Sequence, residues 1–123
     1  ERICAIARDR GIASYLDGAR LWNAAVASGR SMAALCAPFD LAGVALSKGL
    51  GCPGGTLLAG SRDLIASALR HRRMLGGAMR QVGFYAAAGM HALDHHVERL
   101  AEDHANARAI AQRLARVDAD EID

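Results

Sequence analysis

Asp17 and Lys48 are the two residues of this chain whose types and spacing best suit chemistry. Each follows a short, mostly apolar run, ASYL before Asp17 and LAGVALS before Lys48, and a helix-forming stretch between them leaves room for a crossover. A lysine amine can hold a carbonyl compound as a Schiff base. A carboxylate can keep a heteroaromatic ring nitrogen protonated, so that the ring takes up electrons. Pyridoxal phosphate (PLP) needs both groups, one at each end of its ring.

Period and punctuation mark the elements that must carry these two groups. Residues 1 to 10 read as the end of a helix stopped by Gly11, and Ile12 to Leu16 as a short buried strand ending at Asp17. ARLWNAAVAS, residues 19 to 28, is rich in helix formers and ends at Gly29; a shorter helix over Met32 to Cys36 halts before Pro38. LAGVAL at 41 to 46 is apolar without alternation, as strands buried on both faces of a parallel sheet are. The stretch GLGCPGG at 49 to 55 leads into TLLAG at 56 to 60, a strand predicted to return antiparallel because too little chain lies between for a crossover.

Beyond Gly60 the pattern is helical. Ser61 caps SRDLIASALRHRRML, with Asp63 near its positive end, and Gly76-Gly77 breaks it. An alanine-rich helix follows from about Met79 to Leu93. The last helix places Val97, Leu100, Ala101, His104, Ala107, Ala111 and Leu114 on one face. The expected class is therefore α/β, with Asp17 and Lys48 at the carboxyl ends of consecutive strands. In open α/β sheets, ligands bind outside those ends. Arg20, three residues beyond Asp17, falls on the same rim, where its planar fork suits a carboxylate.

Composition sets outer limits. With 52% hydrophobic and 23% charged residues and a formal charge of +2, the chain reads as one soluble globular unit, with no bias toward nucleic acid or acidic surfaces. No run approaches the roughly 18 apolar residues of a membrane span, and ERICAIARDR lacks the plan of a signal peptide. Cys4, Cys36 and Cys52 are odd in number and widely spaced, which fits reduced thiols and a cytoplasmic protein. Glu1 stands inside a helical pattern without an initiator Met, and DADEID closes the chain just after a long helix, so a piece of a larger protein is expected.

Other patterns point to structure rather than chemistry. Gly49, Gly51 and Gly54 satisfy G-x-G-x-x-G, yet Pro53 and a strand follow where a phosphate-binding helix should open, so a dinucleotide site is rejected in favour of a tight turn beside Lys48. His91 and His95, with Asp94 and His96, lack a third ligand at a defined spacing and read as a solvated helix surface. Arg70, His71, Arg72 and Arg73 point all round a helix, which makes a solvated face, with Arg73 the one exception considered. Taken singly, Lys48 and Arg20 would be surface residues and Asp17 a helix N-cap.

In combination the motifs resemble a known family. YLDGARLWNAA at 15 to 25, SKGLGCPGGTLLAG at 47 to 60 and RRMLGGAMRQVG at 72 to 83 are similar, in order and spacing, to three signatures of the low-specificity L-threonine aldolases, PLP enzymes of the aspartate-aminotransferase fold class within the β-eliminating lyase/threonine aldolase group. HALDHHVERLAEDHANA resembles the long-helix region of the same family. The resemblance implies that residues 1–123 are a central fragment of the large PLP-binding domain of a fold-type I enzyme, built on a mostly parallel sheet with helices. It implies Asp17 on the pyridine nitrogen, Lys48 as the Schiff-base lysine, Arg20 on the substrate carboxylate, and Arg80 near the coenzyme phosphate, reaching in from a neighbouring subunit of a homo-oligomer, a dimer or tetramer.

The implied reaction belongs to amino-acid metabolism: retro-aldol cleavage of threonine or allo-threonine to glycine and an aldehyde. A related β-eliminating lyase and a truncated, non-catalytic remnant are the alternatives. Tyr15 stands where the family usually has histidine, Gly54 where a branched apolar residue is common, and Arg73 where lysine often sits. Strand alternation sends Tyr15 to the face of Asp17. The phosphate cup, a ring-stacking histidine and a small C-terminal domain with a second carboxylate-binding arginine are expected outside these residues.

Overall fold

The computed structural model describes residues 2–116. The readings that place Glu1 in a helix and DADEID after the last helix lie outside these residues. In chain order the elements are α1 (Arg2–Asp9), β1 (Tyr15–Gly18), α2 (Leu21–Ser28), α3 (Met32–Cys36), β2 (Leu41–Ala45), β3 (Thr56–Gly60), α4 (Arg62–Met74), α5 (Gly83–His95) and α6 (Leu100–Leu114). The three strands form one sheet in the order β1-β2-β3. β1 runs parallel to β2, and β3 returns antiparallel, the direction its short connection demands.

Most boundaries follow local chemistry. Gly11, at φ +64°, ends α1, and Gly29, at φ +66°, takes the left-handed position after α2. Ser31 and Ser61 cap α3 and α4 by accepting the backbone N–H of Ala34 and Leu64. Two of the departures from expectation have a visible local cause. β1 begins at Tyr15 rather than Ile12, because Ser14 is engaged by Asp40 and Ile12 remains exposed. α5 begins at Gly83 rather than Met79, because Gln81 adopts φ +51° and breaks the helical path.

The core sits where β2 and its following loop meet the later helices. Leu46, Leu50, Cys52, Ala92 and Leu100 form it, with Trp22, Val26, Ala88 and Val97 packed around. β2 is buried from Ala42 onward, which accounts for its unbroken apolar run. On α6 the expected stripe is covered only at its start: Leu100 is buried and His104 half-buried, whereas Ala107, Ala111 and Leu114 are exposed. The helix packs on α2 through this first part. The three cysteines carry free thiols.

A polar clamp sets the start of the parallel pair. The Asp40 carboxylate accepts the Ser14 N–H at 2.7 Å and the Ser14 hydroxyl at 2.8 Å, while the N–H groups of Asp40 and Leu41 donate back to the Ser14 carbonyl. The Ser14 backbone bond foremost, then the hydroxyl and the charge of Arg8, lower the Asp40 pKa from its ordinary 3.8. A carboxylate whose folded pKa is depressed stabilises the fold above its unfolded pKa and loses that contribution as pH falls through the folded value. Asp40→Asn in the full-length protein is therefore expected to lower the denaturation midpoint at neutral pH and to flatten its decline below about pH 4. Superimposable wild-type and variant profiles would deny the clamp any part in stability.

Candidate functional site

The site is built from two neighbouring strand ends. In the parallel register Tyr15 faces Leu41, Asp17 faces Gly43 and Gly18 faces Val44, so both strands end on one rim. Asp17 is exposed, and its Oδ1 accepts the Ala19 N–H at 3.1 Å, closing a turn into α2. The N-cap position of α2 belongs instead to Arg20, which makes no side-chain cap bond. Asp17 thus keeps its second oxygen clear of protein donors among the described residues. Gly18 is required beside it: a Cβ there would lie 2.7 Å from the Gly43 carbonyl oxygen.

Tyr15 shares this face. A Cβ built on Gly43 would meet the Tyr15 hydroxyl and lie 3.1 Å from Cζ, so the ring leans diagonally across the sheet onto the residue opposite Asp17. Only a glycine at position 43 leaves room for it.

Lys48 is carried by the loop after β2, which is pinned at several points. The Gly51 N–H donates to the Lys48 carbonyl at 2.9 Å, closing a turn, and the Cys52 N–H donates to Leu46 at 3.1 Å. Leu50, the residue inside that turn, is only 1% exposed and serves as its anchor. Its carbonyl lies 2.8 Å from Nδ1 of the half-buried His96, so the tautomer with a proton on that nitrogen donates to it. The Lys48 side chain itself is exposed, with no hydrogen bond or ion pair among the described residues.

The glycines of this loop have separate reasons. Gly51 and Gly55 take positive φ, +71° and +111°. Gly49 is needed for close approach, since a Cβ there would stand 2.6 Å from Asn23 Oδ1 and 3.0 Å from Leu100 Cδ2. Asn23 Oδ1 is buried without a hydrogen-bond partner, and the amide nitrogen lies 3.4 Å from His104 Nε2, so this contact has little slack. Gly49→Ala in the full-length protein is expected to displace the Lys48 turn and cost about 1–3 kcal/mol, read as a lower denaturant midpoint. An unchanged midpoint would show that the loop relaxes freely.

Among the sequence-derived candidates, Asp17, Arg20 and Lys48 share the carboxyl rim of β1 and β2. Arg80 stands apart in sequence and fold, exposed between α4 and α5. Its segment borders an open cleft of about 720 Å³ beneath β3, lined by apolar residues such as Leu57, Ile65, Leu69 and Val82. Arg72 is the one charged residue in that lining, and neither Asp17 nor Lys48 belongs to it. The histidine reading needs one correction. His91 and His95 are exposed, their mutually tilted rings 4.5 Å apart, but His96 is a half-buried loop anchor rather than a solvated residue. No group of three or more potential metal ligands occurs among the described residues.

Sequence reasoning missed His96, the Asn23–His104 pair and the Ser14–Asp40 clamp. Their partners lie 26 to 81 residues away, and no local pattern announces them. A histidine just after a helix that faces a buried stretch was the one available hint.

Comparison with known proteins places this geometry in context. The family model described as β-eliminating lyase matches residues 1–123. The chain is 50% identical over 113 residues to the low-specificity L-threonine aldolase of Escherichia coli O157:H7, covering 92% of this chain and 34% of that protein. It is 40% identical over 114 residues to low-specificity L-threonine aldolase 1 of Arabidopsis thaliana, covering 93% and 32%. A crystal structure of a candidate L-allo-threonine aldolase from Listeria monocytogenes superimposes with a TM-score of 0.85 at 30% identity, over 91% of this chain and 31% of that one. The chain thus spans about a third of the length of these relatives. Its mixed α/β fold is that of the solved threonine-aldolase-like structures, and the chain belongs to the β-eliminating lyase family.

Proposed function

We propose that the full-length protein is a PLP-dependent aldehyde-lyase that cleaves β-hydroxy-α-amino acids, L-threonine and L-allo-threonine among them, to glycine and an aldehyde. The observation that carries this reading is the parallel register of β1 and β2, with Asp17 near the end of one strand and the Lys48 loop directly after the other. Among the described residues the donor set suits the coenzyme: a carboxylate with a spare oxygen, a primary amine without a protein partner, and a guanidinium on the same rim. When bound, PLP supplies a conjugated ring that takes up the electron pair of the broken Cα–Cβ bond.

The chain's own residues have distinct tasks in this reading. Asp17 holds the proton on the ring nitrogen, because an ionised carboxylate favours a cation beside it. Lys48 anchors the coenzyme through its Nζ and, once displaced by substrate, moves a proton at that atom. Arg20 binds the substrate carboxylate through its fork. Arg80 is assigned to the phosphate side of a neighbouring subunit, in a homo-oligomer of two or four chains. Residues 1–123 form the central part of the large domain, ending in the helical region before a smaller one. This reading places the enzyme in amino-acid metabolism and in the cytoplasm, a compartment in which unpaired cysteines stay reduced; no described helix is long and apolar enough to cross a membrane.

The family description favours one second reading, β-elimination. Incubating the PLP-loaded full-length protein with L-threonine and with L-allo-threonine distinguishes the two. Glycine and an aldehyde in equal amounts support the aldolase, whereas a 2-oxo acid and ammonia support elimination.

A further inference from the structure

We propose that Tyr15 is a positioning residue for Asp17, its hydroxyl donating a hydrogen bond to the carboxylate when the coenzyme ring nitrogen is bound; this rests on the PLP reading above. Three observations lead there. Tyr15 and Asp17 lie on one face of β1 by strand alternation. The Tyr15 ring extends to Gly43, the register partner of Asp17, so its hydroxyl lies over the strand next to Asp17, where neighbouring strands are roughly 4.8 Å apart. And among the described residues Asp17 is fixed at one oxygen only, by the Ala19 N–H.

A carboxylate held by a single bond on an exposed strand end can still rotate about its side-chain torsions. A second donor from the side removes that freedom and leaves the remaining lone pairs aimed outward over the rim. Tyr15 is suited to this because it is 58% exposed, its hydroxyl is bonded to no protein group among the described residues, and the ring is already laid on the sheet by the missing side chain at Gly43. To reach the carboxylate the ring must turn from Gly43 back toward β1, a movement that its exposure leaves open. The other charged groups of this rim, Arg20 and Lys48, are left free for the substrate and the coenzyme.

A hydrogen bond to the carboxylate favours its charged form, so removing the donor weakens its hold on the protonated ring nitrogen. The test uses full-length apoprotein titrated with PLP, following the visible band of lysine-bound coenzyme, with thermal melts as a control for folding. Tyr15→Phe keeps the ring over Gly43 and removes only the hydroxyl. It is expected to weaken PLP binding about tenfold at an unchanged melting temperature. Tyr15→His, which restores a donor at this strand position, should recover most of that affinity. Wild-type affinity in Tyr15→Phe, with a normal wild-type band, overturns the Tyr15 assignment alone, as does equal impairment of the Phe and His variants, which would indicate packing. A wild-type protein with no lysine-dependent band overturns the PLP reading and this one together.

Discussion

Lys48→Ala in the full-length protein is expected to abolish the visible band of lysine-bound coenzyme and to reduce aldol cleavage by at least about 10³-fold, since one residue is asked both to anchor the coenzyme and to move a proton. The change should leave folding almost untouched. Lys48 is exposed and bonded to no side chain among the described residues, and the turn that carries it is held by backbone bonds and by Leu50, none of which the substitution removes. Surface replacements of this kind usually fall within about 0.5 kcal/mol of wild type. A full loss of activity at an unchanged melting temperature is therefore the signature of a chemical role. Retention of the band in Lys48→Ala would mean that a different amine holds the coenzyme.

Asp17→Asn should produce the second large effect, a fall in kcat of about 10²–10³-fold, comparable with removing one preorganised electrostatic contact at a reacting centre. Asparagine keeps the oxygen that accepts the Ala19 N–H at 3.1 Å, so the turn into α2 survives. Only the negative charge goes. Without it the ring nitrogen loses the partner that favours its protonated form, and the ring becomes a weaker electron acceptor. PLP should still attach to Lys48, though more weakly, so at saturating PLP the variant separates coenzyme binding from turnover. Activity within a few-fold of wild type would remove Asp17 from the ring nitrogen. A variant that binds no coenzyme at all would show instead that Asp17 acts mainly in assembling the site.

Much of the frame that carries these two residues was legible before any coordinates. β3 and α3 occupy the residues their patterns mark, β2 differs by one residue, and the antiparallel return of β3 follows from the short GLGCPGG link. These features are local: a proline that cannot continue a helix, a serine that caps one, and an unbroken apolar run too short for anything but a strand. The errors fall where distant contacts intervene. Ile12 reads as strand, yet Ser14 is already committed to Asp40 and pairing begins only at Tyr15. The helix expected from Met79 is interrupted at Gln81, a residue type that carries no signal of a positive φ.

The glycine loop shows the same division at finer scale. Its composition announces a tight turn after β2 but not which glycine does what. Gly51 and Gly55 answer to backbone conformation, while Gly49 answers to Asn23 and Leu100, side chains from α2 and α6 that meet only when the chain is folded. Likewise the His91–His96 cluster has a surface pattern, and one member turns inward because Leu50 presents a carbonyl there.

By itself the sequence determined the chemical inventory, an acid and an amine at the ends of consecutive apolar runs, and the direction in which each strand must travel, because connection length and apolar patterning act within a few residues. Tertiary structure alone decided the register that sets Asp17 opposite Gly43, the anchoring of the Lys48 turn by Leu50 and His96, and the placement of the Tyr15 ring over Gly43. Those depend on which surfaces meet across tens of residues, and a side chain's partner there is chosen by packing and hydrogen-bond satisfaction rather than by its neighbours in the chain.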